Sequence, residues 1–166
     1  MSGETFIKKA YDAILAHDFE RAIAFFEKAI EANPLQADYH YKLSVTCVRS
    51  GHLIRALRAA ETALTLEPGS DTYKAHVRHV QAKVLLSDAQ RRMESRAYGE
   101  ALTKLKQATA LDPLLGEAFL MMGVAHACLK EYVEAIYALR ELLKLDPLHT
   151  EGNRLMAEYQ RKLREY

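Results

Sequence analysis

The chain has no tryptophan, two cysteines, four prolines and seven scattered glycines among its 166 residues. Two cysteines cannot build a disulfide scaffold. Cys47 and Cys128 each lie within an apolar helical pattern, so both are expected to be buried thiols in a reducing compartment. An excess of charge of either sign is also missing, with 23 basic against 22 acidic side chains and a formal net charge of +1. That balance argues against a dedicated nucleic-acid binder and against an acidic tail. The chain between Arg49 and Arg96 is locally basic, but Asp71, Asp88 and Glu94 offset it and no aromatic stacking pattern is interleaved.

Long apolar runs are absent too. Lys8, Lys9, Asp12, His17 and Asp18 interrupt the beginning of the chain at helical intervals, so no signal-peptide core and no membrane span is expected. The cytoplasm is the expected location. No glycine-rich phosphate loop occurs. His76 and His79 have no Cys, Asp or Glu at a spacing that would complete a zinc set, and His126 has no nucleophile or orienting carboxylate in its pattern. An enzyme, a metal and a cofactor are therefore not expected.

What the chain does contain is a repeat. Gly116 to Leu129 and Tyr132 to Leu145 read as two amphipathic helices joined by Lys130-Glu131 and closed by Asp146-Pro147. The prolines set the period: the step from Pro34 to Pro68 is 34, as is the step from Pro113 to Pro147, whereas that from Pro68 to Pro113 is 45, or 34 plus 11. With proline as position 32 of each unit, position 20 is Ala22, Ala56, Ala101 and Ala135. Position 8 is Ala10, Ser44, Ala89 and Gly123, and position 27 is Ala29, Ala63, Ala108 and then Leu142. Small residues at fixed offsets mark places where two helices cross closely. Neither helix of such a hairpin can bury its apolar face alone, so the copies must stack.

A period of 34 with small residues at positions 8, 20 and 27 and proline at 32 resembles the tetratricopeptide repeat. The resemblance implies an all-α solenoid of four helix-turn-helix repeats, about 3–36, 37–70, 71–115 and 116–149, in one domain spanning 1–166. The tryptophan often found at position 4 is replaced throughout, by Phe6, His40, Leu85 and Phe119. Thr150 to Arg164 reads as a C-terminal capping helix, with Leu155, Met156, Tyr159 and Leu163 on one stripe and Glu158 and Lys162 placed to pair.

Repeat three carries the insertion that lengthens its period. No breaker stands between Ser70 and Ser95, so the added stretch is expected to elongate the first helix of that repeat. Eleven residues turn through roughly 1100°, three turns plus about 20°, and nearly preserve helical phase. Val77 and Val80 share the face of Tyr73, while Ala82, Leu86, Ala89 and Met93 cluster on the opposite face. The first half is therefore expected to pack back on repeat two and the second half on its own partner helix and repeat four. A solvent-exposed overhang is the alternative.

For function, the resemblance implies protein or peptide binding in a concave groove lined by the first helices. Carried across position by position, the groove is expected to involve Ile7, Tyr11, Ile14, Tyr41, Lys42, Val45, Arg49, Lys83, Leu86, Gln90, Leu120, Met121 and Val124. That surface is apolar, with tyrosines and a basic patch at Lys42, Arg49 and Lys83, and suits a peptide or amphipathic helix of a partner with some negative charge. Members that grip the carboxylate of chaperone tails use Lys and Asn at positions held here by Ile7 and Tyr11, and Asn where Lys42 stands, so that clamp is missing. The alternatives are a self-association module, with a second copy as partner, and a protein like the small secretion chaperones built from such repeats.

Overall fold

The structure, a computed structural model, describes residues 1–166 and contains nine helices and no strand. They are α1 (Gly3–Leu15), α2 (Phe19–Ala32), α3 (Ala37–Arg49), α4 (Leu53–Leu66), α5 (Asp71–Glu94), α6 (Tyr98–Leu111), α7 (Gly116–Cys128), α8 (Tyr132–Leu145) and α9 (Thr150–Arg164). Each stops where the sequence offers a breaker or a cap. Ser2, Asp18, Ser70 and His149 accept backbone N–H groups at the starts of α1, α2, α5 and α9, replacing partners that the first helical turn lacks.

Four positions show that the repeats are equivalent in backbone as well as in sequence. His17, Gly51, Arg96 and Lys130, all at position 15, adopt left-handed φ values of 58°, 82°, 59° and 61°. Only repeat two has a glycine there. In each closing turn the backbone N–H at position 34 donates to the carbonyl at position 31: Gln36 to Asn33, Ser70 to Glu67, Leu115 to Asp112 and His149 to Asp146. The register of repeat three is thereby the same as that of the others.

The alanines at position 20 are fully buried, as are the three at position 27. Leu142, the large exception at position 27, is accommodated by glycines. A Cβ on Gly152 would come within 2.9 Å of its Cδ2, and one on Gly116 within 3.1 Å of its Cδ1. Gly123 likewise makes room for Leu139, whose Cδ2 lies 2.9 Å from where a Cβ would be. Large and small residues have exchanged places between facing helices, so the space is filled by a different combination.

The contacts divide the chain into two compact units, 1–81 and 82–166, with the boundary inside α5. The buried apolar residues form clusters that belong to one unit or the other. In the first unit, Val77 and Val80 of α5 join a cluster with Phe26, Leu43, Cys47 and Ala56. In the second, Ala82, Leu86 and Ala89 pack with Ala101, Leu105 and Ala108 of α6 and Ala118 of α7. The two halves of α5 thus bury opposite faces, and the overhang alternative is excluded.

The units are built alike. Each holds two hairpins followed by a helix start that closes them: α5 begins at Asp71 and α9 at Thr150, the same displacement along the chain that separates Pro34 from Pro113 and Pro68 from Pro147. Counted from those starts, the inward positions coincide. In α9 they are Gly152, Leu155, Met156 and Tyr159, and in α5 they are Tyr73, His76, Val77 and Val80. The first half of α5 does for the first unit what α9 does for the second, then runs on as the first helix of repeat three.

Cys47 is buried as expected, and burial pushes its thiol pKa up to about 11, with Glu20 adding to the shift. Other expectations are corrected. Cys128 is exposed, because it is the last residue of α7 and lies beyond the crossing with α8. Leu163 is exposed near the end of α9, past the last residue that α8 can cover. Glu158 pairs with Arg154 at 3.1 Å instead of Lys162, whose ammonium lies over the ring of Tyr132.

Candidate functional site

In the first unit α1, α3 and early α5 carry a set of aromatic and charged groups, from exposed Tyr11 to half-buried Tyr41, Tyr73 and His76. Tyr11 is 44% exposed. The Lys42 ammonium lies 5.8 Å from its ring centroid and is ion-paired with Asp38. Partial burial works against the charge on Lys42, but the hydrogen bond and charge of Asp38 outweigh it and hold the pKa above the usual lysine value. Tyr41 makes a tilted ring contact with Tyr73 at 5.2 Å and meets the ring of His76 edge-on at 4.9 Å. Arg49 is exposed at the end of α3.

Beneath this surface lies a polar thread. Ser44 Oγ donates to the Ala56 carbonyl at 2.6 Å and lies 2.8 Å from His76 Nε2. With its proton committed to Ala56, the hydroxyl accepts from an Nε2–H tautomer of His76, which links α5 to α3 and α4. Burial, with a smaller contribution from His79, lowers the His76 pKa to about 4. The ring is neutral at pH 7. At the other flank the Tyr39 hydroxyl donates to Glu4 at 2.7 Å, and that bond raises the tyrosine pKa.

The second unit presents a different surface. Leu120 and Val124 are half-buried against the α8–α9 cluster, Met121 leans on the α5–α6 cluster, and Gln90 is exposed. Lys83 is ion-paired with Glu117 at 3.7 Å. The side is aliphatic where that of the first unit is aromatic.

Of the thirteen groove residues read from the sequence, Tyr11 and Lys42 are brought together, and Tyr41 joins the neighbouring aromatic set. Ile7 and Leu86 are core residues, 5% and 6% exposed, and offer almost no surface. Ile14 and Val45 are half-buried. Tyr73 and His76 were not among the thirteen. The signal for them was present: counting a fresh repeat from Asp71 puts His76 at position 6, the place of Lys8 and Lys42.

The family model for the tetratricopeptide repeat matches residues 7–71 and 86–149. The chain belongs to the tetratricopeptide repeat family. The starts of the two matched stretches, 7 and 86, are displaced along the chain as Pro34 and Pro113 are. Among solved structures, a double mutant of MamA RS-1 is 16% identical with a TM-score of 0.56, over 96% of this chain and 84% of that one. Pseudomonas aeruginosa PilF is 23% identical with a TM-score of 0.51, over 99% of this chain and 70% of its own. A thermophilic tetratricopeptide repeat protein of Thermus thermophilus is 21% identical with a TM-score of 0.50, covering 97% of this chain and 82% of that one. At these identities the likeness is one of fold. No curated protein sequence matches the chain. Tetratricopeptide repeats are generally protein-interaction modules, and no helix here is long and apolar enough to cross a membrane.

Proposed function

We propose that the protein is an interaction scaffold that holds a peptide or amphipathic helix of a partner against the first-helix side of its 1–81 unit. The observation that carries this reading is the pairing of an exposed Tyr11 with a Lys42 already fixed by Asp38, next to the ring cluster of Tyr41, Tyr73 and His76. Side chains held in place before binding lose little freedom on binding, and tyrosine supplies area and a polar tip together. Arg49 adds positive charge, which favours a segment with acidic residues.

Selection from a displayed peptide library on the full chain tests this. Selected peptides are expected to bind about tenfold or more weakly to Tyr11→Ala and Lys42→Glu variants whose helicity is unchanged. Equal binding by all three proteins overturns the assignment of the surface.

A second reading, self-association, is favoured by Leu35, Leu114 and Leu148, which sit just after the proline in three of the four closing turns and are 79%, 76% and 88% exposed. Sedimentation across a concentration series separates the two: a monomer at all concentrations removes the second.

A further inference from the structure

Two cavities lie at matching places in the two units, on the side of the second helices. One, of about 410 Å³, is lined in the first unit by Glu27, Ile30, Glu31, His40, Leu43 and residues of α4. The other, of about 310 Å³, is lined in the second by Lys106 of α6, Phe119, Met122 and His126 of α7, and Glu134, Tyr137, Ala138 and Glu141 of α8. Seven repeat positions line both. Position 4 is one of them, held by His40 and Phe119 where the family often has tryptophan. Each cavity is of a size that takes a small ligand or one large side chain.

Their charges are exchanged. In the first unit, position 19 is Arg55 and position 25 is Glu27, and the two are ion-paired, so that cavity already holds a guanidinium of its own chain against a carboxylate. In the second unit position 19 is Glu134, position 25 is Lys106 and position 22 is Tyr137 in place of Arg58. Glu134 has no ion-pair partner, while Glu141 pairs with Lys144 at 2.7 Å. The floor holds a further acceptor. His126 keeps only 10% of its side chain exposed and gives its Nδ1 to Glu131 at 2.9 Å. In the tautomer that donates from Nδ1, the Nε2 lone pair has no protein donor.

We propose that the cavity of the second unit binds an arginine side chain from a segment of another protein. Its aliphatic stem would lie on Phe119, Met122 and Ala138, and its fork of N–H groups would reach Glu134 and His126 Nε2. The chain's own Arg140 guanidinium lies 5.8 Å from the Tyr137 centroid, so the incoming plane would take the other face of that ring. Guanidinium fits this combination because it is planar, stacks on aromatic faces and offers five donors to acceptors spread over two walls. Lys106 supplies the opposing charge at the rim. Its flexible stem lets the ammonium turn outward when a second cation enters.

The test is a nitrogen-15 NMR titration of the full chain with arginine amide, following the His126 ring nitrogens and the α8 amides, with norvaline amide as a control for the stem alone. Saturable shifts centred on His126 Nε2 and Glu134 are expected with arginine amide and not with norvaline amide. They are expected to need about tenfold more ligand in a Glu134→Gln variant, the loss of one charge-assisted hydrogen bond. Tyr11→Ala, on the other surface, is expected to leave the titration unchanged. Equal response to both amides, or an unaltered titration in Glu134→Gln, overturns the proposal. So does a finding that the cavity amides broaden with protein concentration alone, since the occupant is then a second copy.

Discussion

Among single residues, the four position-15 turns form a natural experiment on backbone strain. An L-residue with positive φ costs about 1–2 kcal/mol that glycine does not incur. Glycine in turn loses more freedom on folding, by about 0.5–1 kcal/mol. Repeat two uses Gly51, and a Cβ built there would meet nothing within 4 Å. The effect of Gly51→Ala is therefore conformational alone, and a loss of about 1 kcal/mol is expected. Lys130 is exposed with φ of 61°, so Lys130→Gly is expected to raise stability by up to about 1 kcal/mol. Urea denaturation of the two variants checks both signs. A stabilised Gly51→Ala would mean that the turn relaxes out of the left-handed region and that the equivalence of the four turns is not energetic.

Among the helices, α5 shows what sequence reasoning could and could not reach. Its length, its continuity and the opposition of its two faces followed from a missing breaker and from the angular positions of Val77, Val80, Ala82 and Leu86. Its double role did not, because the first half lacks the small residue at position 8 that marks a hairpin crossing: Arg78 stands there. A closing helix has no hairpin partner to cross at that position, so the mark is not required: α5 has Arg78 there, although α9 keeps a small residue, Ala157. Tyr73 and His76, half-buried on the inward face of α5, went unread for the same reason. Cys128, Ile7 and Leu86 were misplaced because position numbers give a direction around a helix, whereas burial also depends on what the neighbouring turn covers.

The cap of the first unit also carries a titration. His76 occupies the place of Leu155 in α9, and its pKa falls from 6.5 to about 4 in the folded chain. Below pH 6.5 the unfolded chain takes up the proton that the folded one refuses. The contribution of the neutral ring is therefore complete above about pH 6.5 and is lost as pH falls toward 4. Replacing His76 by leucine, the residue that works at the matching site, is expected to flatten this part of the profile. The difference in unfolding free energy between wild type and His76→Leu, measured from about pH 7.5 to 4.5, isolates it from the carboxylates common to both. A difference that does not change with pH rejects a proton-excluding role for the Ser44–His76 contact.

Taken from end to end, the chain is two copies of one plan, two hairpins and a closing helix, joined because the closing helix of the first continues as the opening helix of the second. Stability in stacked repeats is close to a sum of local and nearest-neighbour terms. A defect in one closing helix should then be felt most by the unit it closes. Leu155 of α9 is 6% exposed and packs with Tyr132, Leu139 and Leu142. Truncating it to alanine is expected to cost about 2–5 kcal/mol locally. Native-state hydrogen exchange should show that loss in the amides of α7, α8 and α9 and a much smaller one in α1 to α4, whose cluster contains no residue beyond Val80. If the amides of α2 and α4 lose as much protection as those of α8, the two units unfold as one cooperative body and the nearest-neighbour account of the defect fails.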